Sequence, residues 1–364
     1  MNSSKLEALR REIDELDAQL VELLNRRARL ALDIGEVKKQ VNDTLPLHRP
    51  EREARVLERV KSLNTGPLSD DEIGRLVREV MSACLALEAP LNVACLGPEG
   101  TFTQAAALKH FGQSVGLSLL GSIDQVFREV EAGVCQYGVV PVENSIEGAV
   151  NQTLDMLLVS DLKLCGEVAL RIHQHLLSHA GNVEDIEVIY SHEQSLAQCR
   201  RWLDANLAEA RRIAVPSNAE AALNAGKNEK SAAVAGERAG VIYELPILRK
   251  NIENDPENTT RFLVLGRETV APSGNDKTSV LFAMPSKPGA LMNMLACFAD
   301  HNVNMTKIES RPSRQGMWEY VFFVDLAGHA DDAEVAKALS DLRGKAAMVK
   351  LLGSYPAAYQ LPVS

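Results

Sequence analysis

Apolar residues near the start of the chain fall at Leu6, Leu9, Ile13, Leu16, Leu20, Leu23, Leu30, Ile34, Val37 and Val41, in steps of three and four. That period describes one long helix with a coiled-coil-like seam. The seam misses a beat, because the position due between Leu23 and Leu30 is Arg27. A guanidinium among leucines is either a register device that snorkels to solvent or part of a buried anion site. Lys38 follows eleven residues later, about 20° around the helix and roughly 16 Å along it, so two long cations on one face can grip a small anion. Arg10 sits roughly 25 Å before Arg27, too far to share that ligand unless it comes from a second, antiparallel chain. A helix of about 50 Å with two short followers cannot bury such a seam alone, which implies an intertwined dimer.

Pro50 suits the first turn of a second helix carrying Arg52, Glu53, Val56, Leu57, Val60 and Leu63, with Glu53 on the apolar stripe. Ser69-Asp70-Asp71-Glu72 is a capping box for a third helix, whose stripe runs Ile73, Leu76, Val77, Val80, Met81, Cys84 and then Glu88. Inward charges on all three helices (Arg27, Lys38, Glu53, Glu88) are expensive unless a ligand or partner compensates them.

After Pro90 the period changes. Leu91 to Leu96 reads as a strand, followed by GPEGTF, where Thr101 or Thr103 can cap a helix to Phe111. Strand 117–120, helix 123–132 and strand 137–142 follow, and the valine-rich run Val139 to Val142 breaks into Glu143-Asn144-Ser145 before a segment that can be helical. Polar groups at such a break either cap the helix or line a ligand crevice at the carboxyl ends of strands. The form repeats with strand 188–190, the turn Ser191-His192-Glu193-Gln194 and helix 195–207, then at 213–224 and 231–243, before closing with NTTRFLVLG, 258–266. Repeated strand, turn and helix predicts a parallel α/β architecture.

A polar Pro/Gly-containing stretch, Arg267 to Asp276, precedes strand 278–284, helix 288–300, strands 304–310 and 318–326, helix 333–342 and strand 348–353. That βαββαβ order is ferredoxin-like. The expected fold is therefore multidomain: all-α helices over 1–90, a two-lobed α/β domain over 91–267, and an α+β ferredoxin-like domain over 277–364.

Composition narrows the function. A 46% hydrophobic chain of 364 residues is globular, and its net charge of -10 argues against a nucleic-acid partner. Six scattered cysteines without C-x-x-C read as reduced, buried thiols of a cytoplasmic protein. The charged, amphipathic N-terminus is no export leader, and no run reaches a membrane span. No G-x-G-x-x-G or G-x-x-x-x-G-K-[ST] occurs, and His173, His175 and His179 read as structural, so neither a cofactor nor a metal is expected.

The stretch from about Leu6 to Glu88 resembles the all-helical chorismate mutase family, through ALR ending at Arg10, RRARLALDIGEVK containing Arg27 and Lys38, RPERE ending at Glu53, and CLALE from Cys84 to Glu88. The resemblance implies an intertwined dimer that rearranges chorismate to prephenate. It implies that Arg27 and Arg10 of the partner subunit bind the carboxylates, Lys38 donates to the ether oxygen and Glu53 takes the ring hydroxyl, with Arg52, Cys84 and Glu88 completing the site. Three residues depart from the best-known bacterial pattern: Glu88 stands for Gln, Cys84 for Ser and Arg49 for Asp. An ionised Glu88 cannot donate a hydrogen bond, so the expectation is a protonated Glu88.

GPEGTF, PVENSIEG, SHEQSLAQC and NTTRF, in that order, resemble the prephenate dehydratase family, which places its substrate between two lobes like those of a periplasmic binding protein. Prephenate loses its ring carboxylate as CO2 and its hydroxyl as water, giving phenylpyruvate. The resemblance makes Thr260 the group at the departing hydroxyl, Arg261 an anchor, and Asn144 and Gln194 positioning groups. Glu143 is either a further positioning group or the proton source. Thr101, Ser145, Ser191, Ser195, Thr259 and Phe262 complete the expected substrate contacts. PGAL at 288–291 and IESRP at 308–312 resemble the ACT regulatory domain, which implies L-phenylalanine as effector at Gly289, Ala290, Leu291, Asn304, Glu309, Ser310, Arg311 and Pro312. A dimerisation module without ligand is the alternative there. For the whole chain the rival is a two-lobed solute-binding module joined to an amino-acid sensor, with the helices as a dimeriser; the inward charges and the lack of a leader argue against it.

Overall fold

The computed structural model of the chain describes residues 2–40, 46, 48–284, 287–312 and 320–358. Val41, at the end of the expected seam, Trp318, at the start of an expected strand, and the last six residues of the expected final domain lie outside them. Two compact units result: Met1–Arg49 with Val56–Leu91 and Phe111–Gly116, and Pro50–Arg55 with Asn92–His110 and Leu117–Ser364. Both α/β lobes and the C-terminal sheet fall in the second unit.

Helix α1 (Asn2–Gln40) runs almost the full predicted length. Its seam is open to solvent in the single chain, with Ile13 56%, Leu23 61% and Val37 57% exposed. Helix α2 (Pro50–Leu63) starts on its proline. Helix α3 (Asp70–Glu88) is capped by Ser69, whose hydroxyl accepts the Glu72 N–H at 3.2 Å. Gly35 lets α1 and α3 approach, because a Cβ there would lie 2.7 Å from Glu88 Cγ. A glycine inside a helix costs up to about 1 kcal/mol against alanine, a penalty the close approach must offset.

In the second unit, β1 (Asn92–Leu96), α4 (Phe102–Phe111), β2 (Gly116–Leu120), α5 (Ile123–Glu131), β3 (Tyr137–Asn144), the two-residue β4 (Gly148–Ala149), α6 (Asn151–Val159) and β5 (Lys163–Arg171) build the first lobe. The chain then makes β6 (His175–Ser178), β7 (Val188–Ser191), α7 (Glu193–Gln198), α8 (Arg200–Asn206), β8 (Arg211–Ala214), α9 (Asn218–Ala225), β9 (Ser231–Ala235), α10 (Glu237–Ile242) and β10 (Ile247–Arg249). Finally β11 (Thr259–Gly266) returns to the first sheet, giving the orders β2-β1-β3-β11-β5 and β10-β6-β9-β7-β8.

The expected all-parallel arrangement is corrected to two mixed sheets. β1 is parallel to β3, and β7 is parallel to β8 and β9, but β11 runs antiparallel to both β3 and β5, and β6 antiparallel to β9 and β10. The cause is the passage out of the first sheet after β5 and back along β11, which strand-turn-helix repeats do not reveal. No helix starts at the Glu143-Asn144-Ser145 break either. β3 continues through Asn144, whose Oδ1 accepts the N–H groups of Ile146 and Glu147 at 3.0 and 3.1 Å, and α6 starts only at Asn151. Neither Asn144 nor Ser145 is a helix cap; the first closes an Asx turn. The helix expected over 195–207 is two short ones broken at Cys199.

The C-terminal strands β12 (Asp276–Ala283), β13 (Met305–Pro312), β14 (Tyr320–Ala327) and β15 (Met348–Pro356) form a sheet in the order β13-β14-β12-β15, with α11 (Ala290–Ala299) and α12 (Ala333–Lys345) connecting them. Strand alternation divides its side chains. Val280, Phe282, Phe322 and Val324 face the helices, burying Met294, Phe298, Leu339 and Leu342. Leu281, Val321, Phe323, Leu352 and Tyr355 instead share a core with Val140, Val142, Leu164, Leu263 and Leu265 of the first sheet. Lys350 on β15 donates to the carbonyls of Leu157, Leu158 and Ser160 at the end of α6. All six cysteines are buried and free, and burial pushes the Cys95 and Cys165 thiols up to about 12, out of the reactive range.

Candidate functional site

Register decides which side chains meet. Thr260 of β11 lies opposite Asn144 of β3, and Asn144 Nδ2 donates to Thr260 Oγ1 and to Asn258 Oδ1, each at 2.8 Å. Asn258 is fully buried and donates to Gln198 Oε1 at 3.1 Å, tying the start of β11 to α7 of the other lobe. Because Thr260 Oγ1 accepts from Asn144, its own proton is left to point elsewhere. The pair is therefore a hydroxyl oriented as a donor at the carboxyl end of β3, where a two-lobed fold collects its ligand.

On the facing lobe, Asn218 organises SHEQS. Its Oδ1 accepts the His192 N–H and lies 3.0 Å from Ser191 Oγ, and its Nδ2 donates to Ser195 Oγ at 2.8 Å. Ser195 also accepts from Gln174 at 3.0 Å, and Ser191 donates to the Val234 carbonyl at 2.7 Å. Both serines are buried scaffolding; Glu193 and Gln194 are the exposed members of the turn. Thr101 settles the two capping options, accepting the Gln104 N–H and donating to the Leu96 carbonyl. Ser145 Oγ accepts the Thr259 N–H at 3.0 Å and Thr259 Oγ1 donates to the Glu257 carbonyl, locking the rim. Phe262, expected to contact substrate, is only 2% exposed and belongs to the core. His173 pairs with Glu253 at 2.9 Å, and His175 Nδ1 accepts the Asn251 N–H at 3.1 Å.

Arg261 and Glu143 are not on this face. They are neighbours of Thr260 and Asn144 in paired strands, so their side chains leave on the opposite side. There Arg261 binds Glu167 at 2.7 Å, Asp325 at 2.6 Å and Glu143 at 3.6 Å, and donates to Tyr355 Oη at 3.1 Å. Glu143 pairs with Lys307, and Lys277 binds Glu167 at 2.7 Å. Burial opposes the charge on Arg261, but Tyr355, Asp325 and Glu167 outweigh it and hold the guanidinium above its ordinary range. Burial pulls Lys307 down, with Asp325 and Glu309 opposing. The sequence points to Arg261 as a substrate anchor and to Glu143 as a positioning group or proton source; in this arrangement both side chains are engaged in ion pairs on the other face of the sheet from Thr260.

In the helical unit, Lys38 Nζ lies 3.0 Å from Glu88 Oε1, and Arg27 reaches the Val80 carbonyl at 3.5 Å. Cys84 is buried on the same helix as Glu88. In this pair Glu88 Oε1 accepts from Lys38. Arg10 is exposed on α1, far along the helix from Lys38. On α2 Arg52 is exposed and Glu53 half-buried, while Glu51, not singled out by the periodicity, is 5% exposed.

Among the expected effector residues, Gly289 starts α11 with φ 75°, Ala290 is buried and Leu291 half-buried. Asn304, Ser310 and Pro312 are exposed, and Glu309 lies half-buried on the edge strand β13. Arg311 is committed to α6, pairing with Asn151 and, at 3.0 Å, with Asp155.

Family models match in the same order along the chain: chorismate mutase type II over residues 9–89, prephenate dehydratase over 93–270 and ACT domain over 278–344. A bifunctional chorismate mutase/prephenate dehydratase of Pseudomonas aeruginosa is 51% identical over 361 residues, covering 98% of this chain and 99% of its own. One from Aquifex aeolicus is 48% identical over 358 residues, covering 97% and 98%. Among solved structures, a prephenate dehydratase from Arthrobacter aurescens in complex with L-Phe superposes with a TM-score of 0.70 at 33% identity, over 75% of this chain and 92% of that one.

Proposed function

The chain belongs to the family of bifunctional chorismate mutase/prephenate dehydratases, and from that premise we propose how its residues divide the work. The enzyme rearranges chorismate to prephenate and then decarboxylates and dehydrates prephenate to phenylpyruvate. The observation that carries the dehydratase reading is the 2.8 Å bond from Asn144 Nδ2 to Thr260 Oγ1. Thr260 donates its proton as a hydrogen bond to the hydroxyl that leaves the ring, and Asn144 holds that donor in place. A threonine is too weak an acid to give up the proton fully, so it polarises the leaving oxygen, which departs as hydroxide and takes a proton from solvent to become water, while aromatisation drives CO2 away from the opposite side of the ring. Gln194, exposed on the facing turn, positions the substrate; Ser191 and Ser195 act through the scaffold built on Asn218.

The mutase step needs no covalent catalysis, only the reactive conformer and stabilisation of charge growing on the ether oxygen. Lys38 at the α1–α3 contact donates to that oxygen, Arg27 takes a carboxylate, and Arg10 of the partner subunit takes the other. The exposed seam of α1 supports a homodimer, with that seam as its contact.

L-phenylalanine is the effector, a reading supported by the ACT match and by the L-Phe in the Arthrobacter relative. No helix among the described residues is long and apolar enough to cross a membrane, and a cytoplasmic location is proposed. The test supplies purified protein with chorismate, then with prephenate, each with and without L-phenylalanine. Loss of chorismate, formation of phenylpyruvate from both substrates and inhibition of the second step by L-phenylalanine are the expected results; failure to consume either substrate removes the corresponding half.

A further inference from the structure

The strongest cluster of charges outside the two reacting centres lies behind the catalytic strands. Glu143 of β3, Glu167 of β5 and Arg261 of β11 meet Lys277, Lys307 and Asp325 of the C-terminal sheet. The cluster is charge-balanced and largely shielded, with side-chain exposures of 3% for Glu167, 10% for Asp325 and 14% for Arg261. Tyr355 and Ser279 complete it: Tyr355 Oη accepts from Arg261 and lies 2.7 Å from Ser279 Oγ, and Ser279 donates to Asp325.

We propose that Lys307 and Asp325 are positioning residues of the dehydratase: through Glu143 and Arg261 they set the relative placement of β3 and β11, and with it the Asn144–Thr260 bond. The inference rests on the proposed role of that bond. The link is one peptide unit long on each strand. Arg261 lies opposite Glu143 and Thr260 opposite Asn144 in consecutive register positions, so pulling the first pair changes the second. The rear pair also has room to move. Glu143, Lys307, Arg261 and Asp325 line a cavity of about 580 Å³ together with Asn144, Ser145 and Thr259 of the catalytic rim. A shift of Lys307 is therefore not blocked by close packing as it would be in an apolar core.

The same strand carries the effector motif. Lys307 precedes Glu309, Ser310 and Arg311 on β13, and Arg311 holds Asn151 and Asp155 of α6, the helix that follows the Asn144 turn. A ligand that moves β13 pulls Lys307 on Glu143 at one end and Arg311 on α6 at the other. A coupling between sites needs a two-state element, which here requires a second arrangement of that strand in which the Lys307–Glu143 pair is broken.

The test uses the full chain, because its mutase activity reports intact protein independently. Lys307→Met lowers the dehydratase kcat tenfold or more with prephenate KM changed less than threefold, and weakens inhibition by L-phenylalanine, while mutase kcat/KM stays within twofold of wild type. Lys307→Arg, which keeps the cation, restores most of both losses. The double variant Glu143→Gln/Lys307→Met removes both charges without leaving one unpaired, and guards against simple misfolding; it shows the same kcat loss with normal mutase activity. Unchanged dehydratase kcat and unchanged L-phenylalanine response in Lys307→Met overturn the proposal, as does a parallel fall of both activities in all three variants, or Lys307→Arg behaving like Lys307→Met. A Thr260→Ala control separates the two readings: if it retains dehydratase activity, the catalytic role of the bond fails, whereas if it is inactive and Lys307→Met is normal, only the positioning role fails.

Discussion

Thr260 and Arg261 are adjacent in β11, yet Thr260 takes a hydrogen bond from Asn144 on one face while Arg261 enters an ion cluster with Glu167 and Asp325 on the other. One dipeptide thus bonds to β3 in front and ties the C-terminal sheet on behind. Strand geometry alone requires the split, since consecutive side chains alternate across the sheet.

Replacing Arg261 separates stability from substrate binding. Arg261→Met leaves Glu167 and Asp325 without their shared cation, and breaking a buried pair of this kind costs about 3–5 kcal/mol. Urea unfolding monitored by tryptophan fluorescence and circular dichroism should show that loss, with prephenate KM for the folded fraction changed less than threefold. A rise in KM of about a hundredfold without loss of stability would instead mark Arg261 as a carboxylate anchor.

In the proposed dehydratase mechanism Asn144 fixes the direction of the Thr260 proton. Asn144→Ala frees that hydroxyl to rotate and lowers dehydratase kcat by about 10- to 100-fold, chiefly in kcat because the bond matters when charge develops. Asn144→Asp does at least as much damage, since a carboxylate there accepts the Thr260 proton and reverses the polarity of the pair. Steady-state kinetics from prephenate measure both; an Asn144→Asp enzyme with normal kcat would contradict the assignment.

Much of the architecture was legible in the sequence. The α1 seam and the βαββαβ ending follow from local periods, which depend on residues close in the chain. What was not legible depends on distant partners. The polar residues Glu143 and Asn144 locally signal a strand break, although β3 continues through them: each finds its polar partner on β11 or β13, more than a hundred residues away. Asn218, Gln174 and Asn258 escaped for the same reason, being polar residues made useful by tertiary hydrogen bonds alone. The strand β11 also sits between β3 and β5 without any local signal that the chain returns from the other lobe.

Acid should weaken the fold partly through His175. Burial lowers its pKa below 6.5, Glu253 and Glu237 only partly opposing, with His173 and Lys250 adding to the decrease. Its Nδ1 also accepts the Asn251 N–H, which requires the neutral ring. As pH falls through the ordinary histidine range the unfolded chain takes up a proton that the folded chain refuses, so stability falls by no more than about 1.4 kcal/mol per pH unit from this group, levelling off below the folded pKa. Urea midpoints at about pH 7.5 and about pH 5.5 should therefore differ more for wild type than for His175→Asn, whose amide oxygen can take the same N–H. Equal differences would absolve His175.

Gly35 tests the α1–α3 contact. Gly35→Ala places a methyl 2.7 Å from Glu88 Cγ and forces that side chain off Lys38 or the helices apart. A crowding cost of about 1–3 kcal/mol exceeds the gain in helix propensity, so mutase kcat/KM falls by about tenfold or more. Dehydratase activity from prephenate, assayed on the same sample, should remain at wild-type level, and a mutase that tolerates the methyl would argue against Glu88 and Lys38 as its centre.

The most direct measurement gives chorismate to wild type and to Thr260→Ala and follows chorismate, prephenate and phenylpyruvate together. The account predicts that wild type converts chorismate through to phenylpyruvate. Thr260→Ala should consume chorismate at the wild-type rate but accumulate prephenate, its dehydratase kcat reduced by about 100- to 1,000-fold. Phenylpyruvate formation by Thr260→Ala at near the wild-type rate would contradict it.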